Sequence, residues 1–169
     1  MDLFEALYKR RSIRKYQDRA VPREVVDKIL GAAMMAPSAG DARTWHFIVV
    51  DRREEVSAVH DALEHAEPAL DAPLAIAVCS DTSLEQFPNN WMLDCSAATE
   101  NLLLAAHGLG LGAVWIAVWP FEEFVAAARR HFAIPDHVQP LCVVVLGYPA
   151  EEVPSEDRFD ASRIHAGRW

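Results

Sequence analysis

Leu102-Leu103-Leu104-Ala105-Ala106-His107-Gly108-Leu109-Gly110-Leu111-Gly112-Ala113-Val114-Trp115-Ile116-Ala117-Val118-Trp119 runs for eighteen residues without an Asp, Glu, Lys or Arg. Its length approaches the ~20 residues of a membrane span. Gly108, Gly110 and Gly112 break it in the middle, and Ala113 to Val118 reads as a buried strand that ends before Pro120. The stretch is therefore a helix end, a glycine exit and a strand, which belong to a soluble αβ domain and not to a bilayer. The glycines do not make a dinucleotide fingerprint. Their spacing is not G-x-G-x-x-G, and they follow a helix where that motif follows a strand.

Upstream, Trp91 to His107 reads as one long helix, apolar around more than one face (Met92, Leu93, Ala97, Ala98, Leu102, Leu103, Ala105, Ala106) and so packed on several sides. A first helix starts at Asp2 as cap, with Glu5 placed for a capping box and an apolar stripe of Leu3, Phe4, Leu7 and Tyr8. Pro22 opens a second helix, with Val25, Val26, Ile29, Leu30, Ala33 and Met34 at helical spacing until Pro37. His46–Asp51, Pro73–Cys79 and Leu141–Leu146 read as strands, and Glu54–Glu64 and Phe121–Phe132 as helices. This αβ pattern has no repeat or linker, so residues 1–169 form one domain. Residues 147–169 show no period; Ile164 and Trp169 imply that this tail docks on something, such as a second subunit.

The net charge of −9 and the pI near 5.2 exclude a general nucleic-acid surface, which needs clustered uncompensated cations. Cys79, Cys95 and Cys142 form no disulfide or zinc pattern, and with no secretory signal at Met1–Glu5 the expected compartment is a reducing cytoplasm. His60 and His65 are five residues apart, off one helical face, and read as solvated helix and not as metal ligands. There is no G-x-S-x-G elbow and no nucleophile motif.

Two segments carry candidate chemistry. Arg10-Arg11-Ser12-Ile13-Arg14 collects three guanidinium groups and a hydroxyl suited to a phosphate; the same residues also suit a solvated cap that complements a helix dipole. Ala36-Pro37-Ser38-Ala39-Gly40-Asp41 offers small residues that let a planar ring approach the backbone, or an ordinary helix-stop turn.

Taken in order along the chain, these segments resemble the nitroreductase family of flavoproteins. Arg10 to Tyr16 resembles the family's first flavin motif, Ala36 to Phe47 its second, Asp94 to Gly112 its central helix and exit, and Gly147-Tyr148-Pro149 with Arg158 the last core strand and basic tail. The resemblance implies an α+β fold with a mixed or antiparallel central sheet flanked by helices, and a homodimer with an FMN at each side of its interface. In that scheme Arg10, Ser12 and Arg158 hold the FMN phosphate with Arg11 beside them, and Arg14 lies near the pyrimidine edge of the ring. Pro37, Ser38, Ala39 and Asp41 arrive from the other subunit, and the tail, residues 147–169, crosses the interface. The implied reaction moves hydride from NADH or NADPH through flavin N5 to a small acceptor, nitroaromatic or quinone-like, without a protein nucleophile.

The family usually shows Asn, Gln and Pro where this chain has Asp41, Arg43 and Thr44. A carboxylate at position 41 opposes an anionic reduced ring unless Arg43 pairs with it. The chain is also short, so the substrate mouth differs from that of relatives with inserted helices. Trp91, Trp115, Trp119 and Phe87 are candidate walls of an acceptor pocket, or core. Enone reduction, dehalogenation and flavin fragmentation suit the same fold. An FMN carrier or redox-responsive partner without turnover is the alternative outside catalysis, and a cofactor-free helical interaction domain leaves the motifs unexplained.

Overall fold

A computed structural model describes residues 1–169. Four strands, β1 (Trp45–Val50), β2 (Leu74–Asp81), β3 (Gly112–Ala117) and β4 (Val138–Gly147), form one sheet in the order β1-β2-β4-β3. Every strand pairing is antiparallel. The central strands β2 and β4 are buried along almost their whole length, because helices cover both faces. That is why they appear in the sequence as unbroken apolar runs and not as alternation.

On one face α4 (Trp91–Gly108) and α2 (Arg23–Ala33) pack over Leu74, Ile76, Val144 and Leu146 through Ile29 and Leu102. On the other, α3 (Arg53–Ala62) and α5 (Glu122–Phe132) cover Val143, Val145 and Ile116 through Val56, Val59 and Ala128. The period-2 geometry of β4 sends alternate side chains to the two cores. Cys79, Cys95 and Cys142 are free and buried. Burial pushes the Cys79 and Cys95 thiols up to about 12, and Cys142 higher still.

Strand β4 begins three residues earlier than the apolar pattern predicts. Pro140 lacks an N–H, which argues against a strand interior, but it pairs with Cys79 where the β2–β4 register shifts, and an irregularity is where a strand tolerates proline. The first helix, α1 (Leu3–Lys9), is capped by Asp2, whose carboxylate accepts from Phe4 N at 2.8 Å and Glu5 N at 3.4 Å. The capping box is not completed: Glu5 turns instead to Lys9, 2.7 Å away. Only Ala6 of α1 is buried, and the stripe Leu3, Phe4, Leu7 and Tyr8 faces solvent.

After α1 the chain is drawn onto the open edge of β3. Ser12 forms an isolated parallel bridge with Ala113, and Ile13 N donates to Ala113 O at 3.0 Å. Gly112 makes room for this: a Cβ there would lie 2.6 Å from Ile13 Cβ. The strip continues along the end of β4, with Gln17 N donating to Tyr148 O at 2.8 Å and Ala150 N to Lys15 O at 2.9 Å. The buried Tyr16 hydroxyl is 2.5 Å from Ile13 O and 3.0 Å from Val145 O, tying strip to sheet. Residues Arg10 to Arg14 thus lie on a rigid element.

Candidate functional site

A cavity opens at each end of this strip. At the Arg10 end, Arg10, Arg11, Arg158, Leu7, Tyr8, Glu156 and Phe159 surround about 300 Å³. The three guanidinium groups do not have the same work there. Arg11 Nη1 donates to the carbonyls of Tyr8 (3.1 Å) and Arg10 (2.6 Å), and Nη2 to that of Glu156 (3.2 Å). It is a strut between the end of α1 and the tail. Arg10 has only a 3.5 Å contact with Glu100, and Arg158 only Glu156, at 2.7 Å. Both partners are substantially solvent-exposed, Glu100 at 48% and Glu156 at 65%, so an anion can compete for the two cations.

At the other end Arg14 opens on a cavity of about 790 Å³, walled by Val114, Trp115, Ile116, Phe121 and Phe124 and rimmed by His65, Glu67 and Asp71. Glu64 and Glu123 also line it, so the cavity joins an apolar wall to an acidic rim; its size and that wall suit a planar organic ring. Arg14 carries no ion pair there, and its backbone N–H is held by Glu151 at 2.6 Å. A strip with two available guanidinium groups at one end and an aromatic cavity with a free one at the other matches the donor chemistry of a phosphorylated planar cofactor. Pro68, Phe121 and Phe124 were not singled out from sequence, and His65, read there as solvated helix, lies beyond the end of α3 in a left-handed turn (φ 62°): these residues lie on a 3-10 turn, its approach and the start of α5, and they meet only through the fold. Of the four aromatics named from sequence, Trp115 lines this cavity. Trp91 is core, edge-on to Trp119 at 5.2 Å, and Phe87 is exposed beside Gly40.

Pro37, Ser38, Ala39 and Asp41 lie elsewhere, on the loop between α2 and β1, and line neither cavity. The loop is tightly turned: Gly40, Asp41 and Arg43 have φ of 63°, 55° and 50°, a conformation that costs a residue with a Cβ. Its contacts offset this. Arg43 N donates to Ser38 Oγ at 3.0 Å, Arg43 Nε and Nη2 grip Asp41 at 2.8 and 2.6 Å, and Ala39 N donates to Asp94 Oδ1 at 2.9 Å. Hydrogen bonds from Arg43 hold the Asp41 carboxyl below its ordinary value, and Asp41 raises Arg43 in turn. The charge that Asp41 brings is thus countered within the loop.

The family model described as "Nitroreductase family" matches residues 7–81 and 57–148. A "Putative NADH dehydrogenase/NAD(P)H nitroreductase" from Methanothermobacter thermautotrophicus is 55% identical over 169 residues, covering 100% of this chain and 88% of that protein. The crystal structure of a protein of the same description from Parabacteroides distasonis superposes with a TM-score of 0.94 at 41% identity, covering 99% and 98% of the two chains. An "FMN-dependent Nitroreductase" from Clostridium difficile gives 0.91 at 34% identity, covering 98% and 99%.

Proposed function

The chain belongs to the nitroreductase family, and on that premise we propose a homodimer that carries hydride from NADH or NADPH to a small aromatic or quinone-like acceptor in a ping-pong cycle. An NAD(P)H-dependent oxidoreductase using FMN follows from the family; the assembly, the acceptor and the residue roles are our reading. Bound FMN supplies a centre that accepts and returns hydride. Arg10 and Arg158 hold its phosphate with Ser12, while Arg11 keeps α1 and the tail together around them. Arg14 places a fixed positive charge beside the ring, where it favours the anionic reduced form. Trp115, Phe121 and Phe124 keep water from one side of the site. No helix is long and apolar enough to cross a membrane, and three buried free thiols accord with a reducing cytoplasm.

The observation that carries this reading is the strip Arg10–Arg14, fixed on the edge of β3 with a cation-lined cavity at one end and an aromatic one at the other. The second subunit is supported by three features: the apolar stripe on α1 is exposed, residues 152–169 are exposed throughout, and the loop Pro37–Asp41 is absent from both cavities. Purified protein supplied with FMN should show a flavin spectrum that bleaches within seconds of anaerobic NADH or NADPH addition. A protein that stays colourless after FMN is added overturns the reading, and a spectrum indifferent to both reductants leaves a flavin carrier.

Asp41→Asn tests the loop's place. It removes one negative charge and leaves Arg43 unpaired, so the bound flavin's reduction potential should move upward in a spectroscopic redox titration. An unchanged potential removes Asp41 from the ring's neighbourhood.

A further inference from the structure

Asp94 is the chain's only fully buried Asp, Glu, Lys or Arg, 5% exposed, and it belongs to none of the chain's ion pairs. A carboxylate taken out of water without a cation is expensive unless its hydrogen bonds serve a purpose. Its position in the first turn of α4 gives it the favourable end of the helix dipole, which lowers that cost but does not explain why an acid is there. The one hydrogen bond its side chain makes within the chain is accepted by Oδ1 from Ala39 N, 2.9 Å away and fifty-five residues distant in sequence.

The other side-chain bonds of the loop, Asp41 with Arg43 and Ser38 with Arg43, are internal. They set its shape but do not fix where it stands. The loop's side-chain attachment to the helical layer is the Asp94–Ala39 bond, a carboxylate accepting from a backbone N–H, a class stronger than a bond between neutral groups. We infer that Asp94 is the positioning residue for the Ser38–Arg43 loop, holding Ala39 to α4 so that the loop keeps one placement against whatever it faces. If the loop reaches the partner's flavin, as the proposed homodimer has it, Asp94 acts on that flavin from the neighbouring chain through Ala39.

The test follows the Ala39 amide by hydrogen exchange in the FMN-loaded protein, alongside FMN affinity and dimer mass. Asp94→Ala should speed exchange at Ala39 by about tenfold to a hundredfold, the equilibrium equivalent of the lost bond, and weaken FMN binding by about tenfold with the dimer intact. Asp94→Asn keeps an oxygen acceptor and should restore most of the protection and FMN affinity; it is also the variant to read should Asp94→Ala fail to fold, with exchange at Ala39 still faster than in the parent and the rest of α4 unchanged. Unaltered exchange at Ala39 in both variants, with only a general loss of stability, overturns the inference and leaves Asp94 a helix-dipole residue. Faster exchange with an unchanged flavin spectrum and affinity upholds the anchor and instead removes the loop from the flavin site.

Discussion

A chain ended after Glu152 should be a folded monomer that binds FMN about a hundredfold more weakly than the parent. The removed residues are exposed throughout, so the two cores lose almost nothing and the melting transition of the monomer should remain cooperative. What is lost is Arg158 and the Glu156 carbonyl that steadies Arg11, together with the apolar groups Phe159, Ile164 and Trp169 that the proposed dimer covers. One charged contact to a phosphate is worth about 1.5–3 kcal/mol, or ten- to a hundredfold in affinity. Sedimentation and a flavin-fluorescence titration read the two losses separately, and Arg158→Ala should reproduce the weaker binding while leaving the dimer intact. A truncated chain that stays dimeric and keeps its FMN affinity would show that the tail serves neither end.

Gly112→Ala should be nearly as damaging to cofactor binding, although it adds only a single methyl group. That Cβ would meet Ile13 Cβ at 2.6 Å, Cγ2 at 2.7 Å and Cγ1 at 2.8 Å, and the branch point of Ile13 cannot swing away while its backbone is bonded to Ala113. The strip must lift from the edge of β3, carrying Arg10 and Arg14 with it. Overpacking of this kind costs about 1–3 kcal/mol, to be read as a lower urea midpoint together with weaker FMN binding. Shortening the opposing side chain in Gly112→Ala/Ile13→Ala should recover part of both, since neighbours in contact do not add. Unchanged stability and affinity in the single variant would mean that the strip is not seated by Gly112.

Most of the fold was legible because each element announces itself locally. The glycine exit after α4 and the apolar runs of β2 and β4 have periods and punctuation that do not depend on the rest of the molecule. Where local rules compete the reading slipped: Pro140 argues against a strand until the irregularity in β2 is known, and Glu5 had a choice between the helix cap and Lys9. The candidate site was legible in its cations, since Arg10, Arg14 and Arg158 lie in recognisable segments, and Arg10 and Arg158 line one cavity. Arg11 was grouped with them by sequence proximity, and it does line the same cavity, but its guanidinium is occupied by backbone carbonyls. The seat of Ile13 on Gly112, the wall made by Trp115 with Phe121 and Phe124, and the hold of Asp94 on Ala39 join residues far apart in sequence. No spacing rule reaches them.

The raised thiols bear on how long such a protein survives its own chemistry. A protein that handles two-electron reductants in air meets peroxide, and peroxide attacks thiolates, not thiols. Burial raises Cys79, Cys95 and Cys142 above the ordinary thiol range and so disfavours the thiolate, and none of the three reaches the surface. Placing every sulfhydryl in the cores leaves a surface without a cysteine to be oxidised, so whatever oxidative wear such a surface takes falls on other side chains, the exposed Met34 and Met35 first.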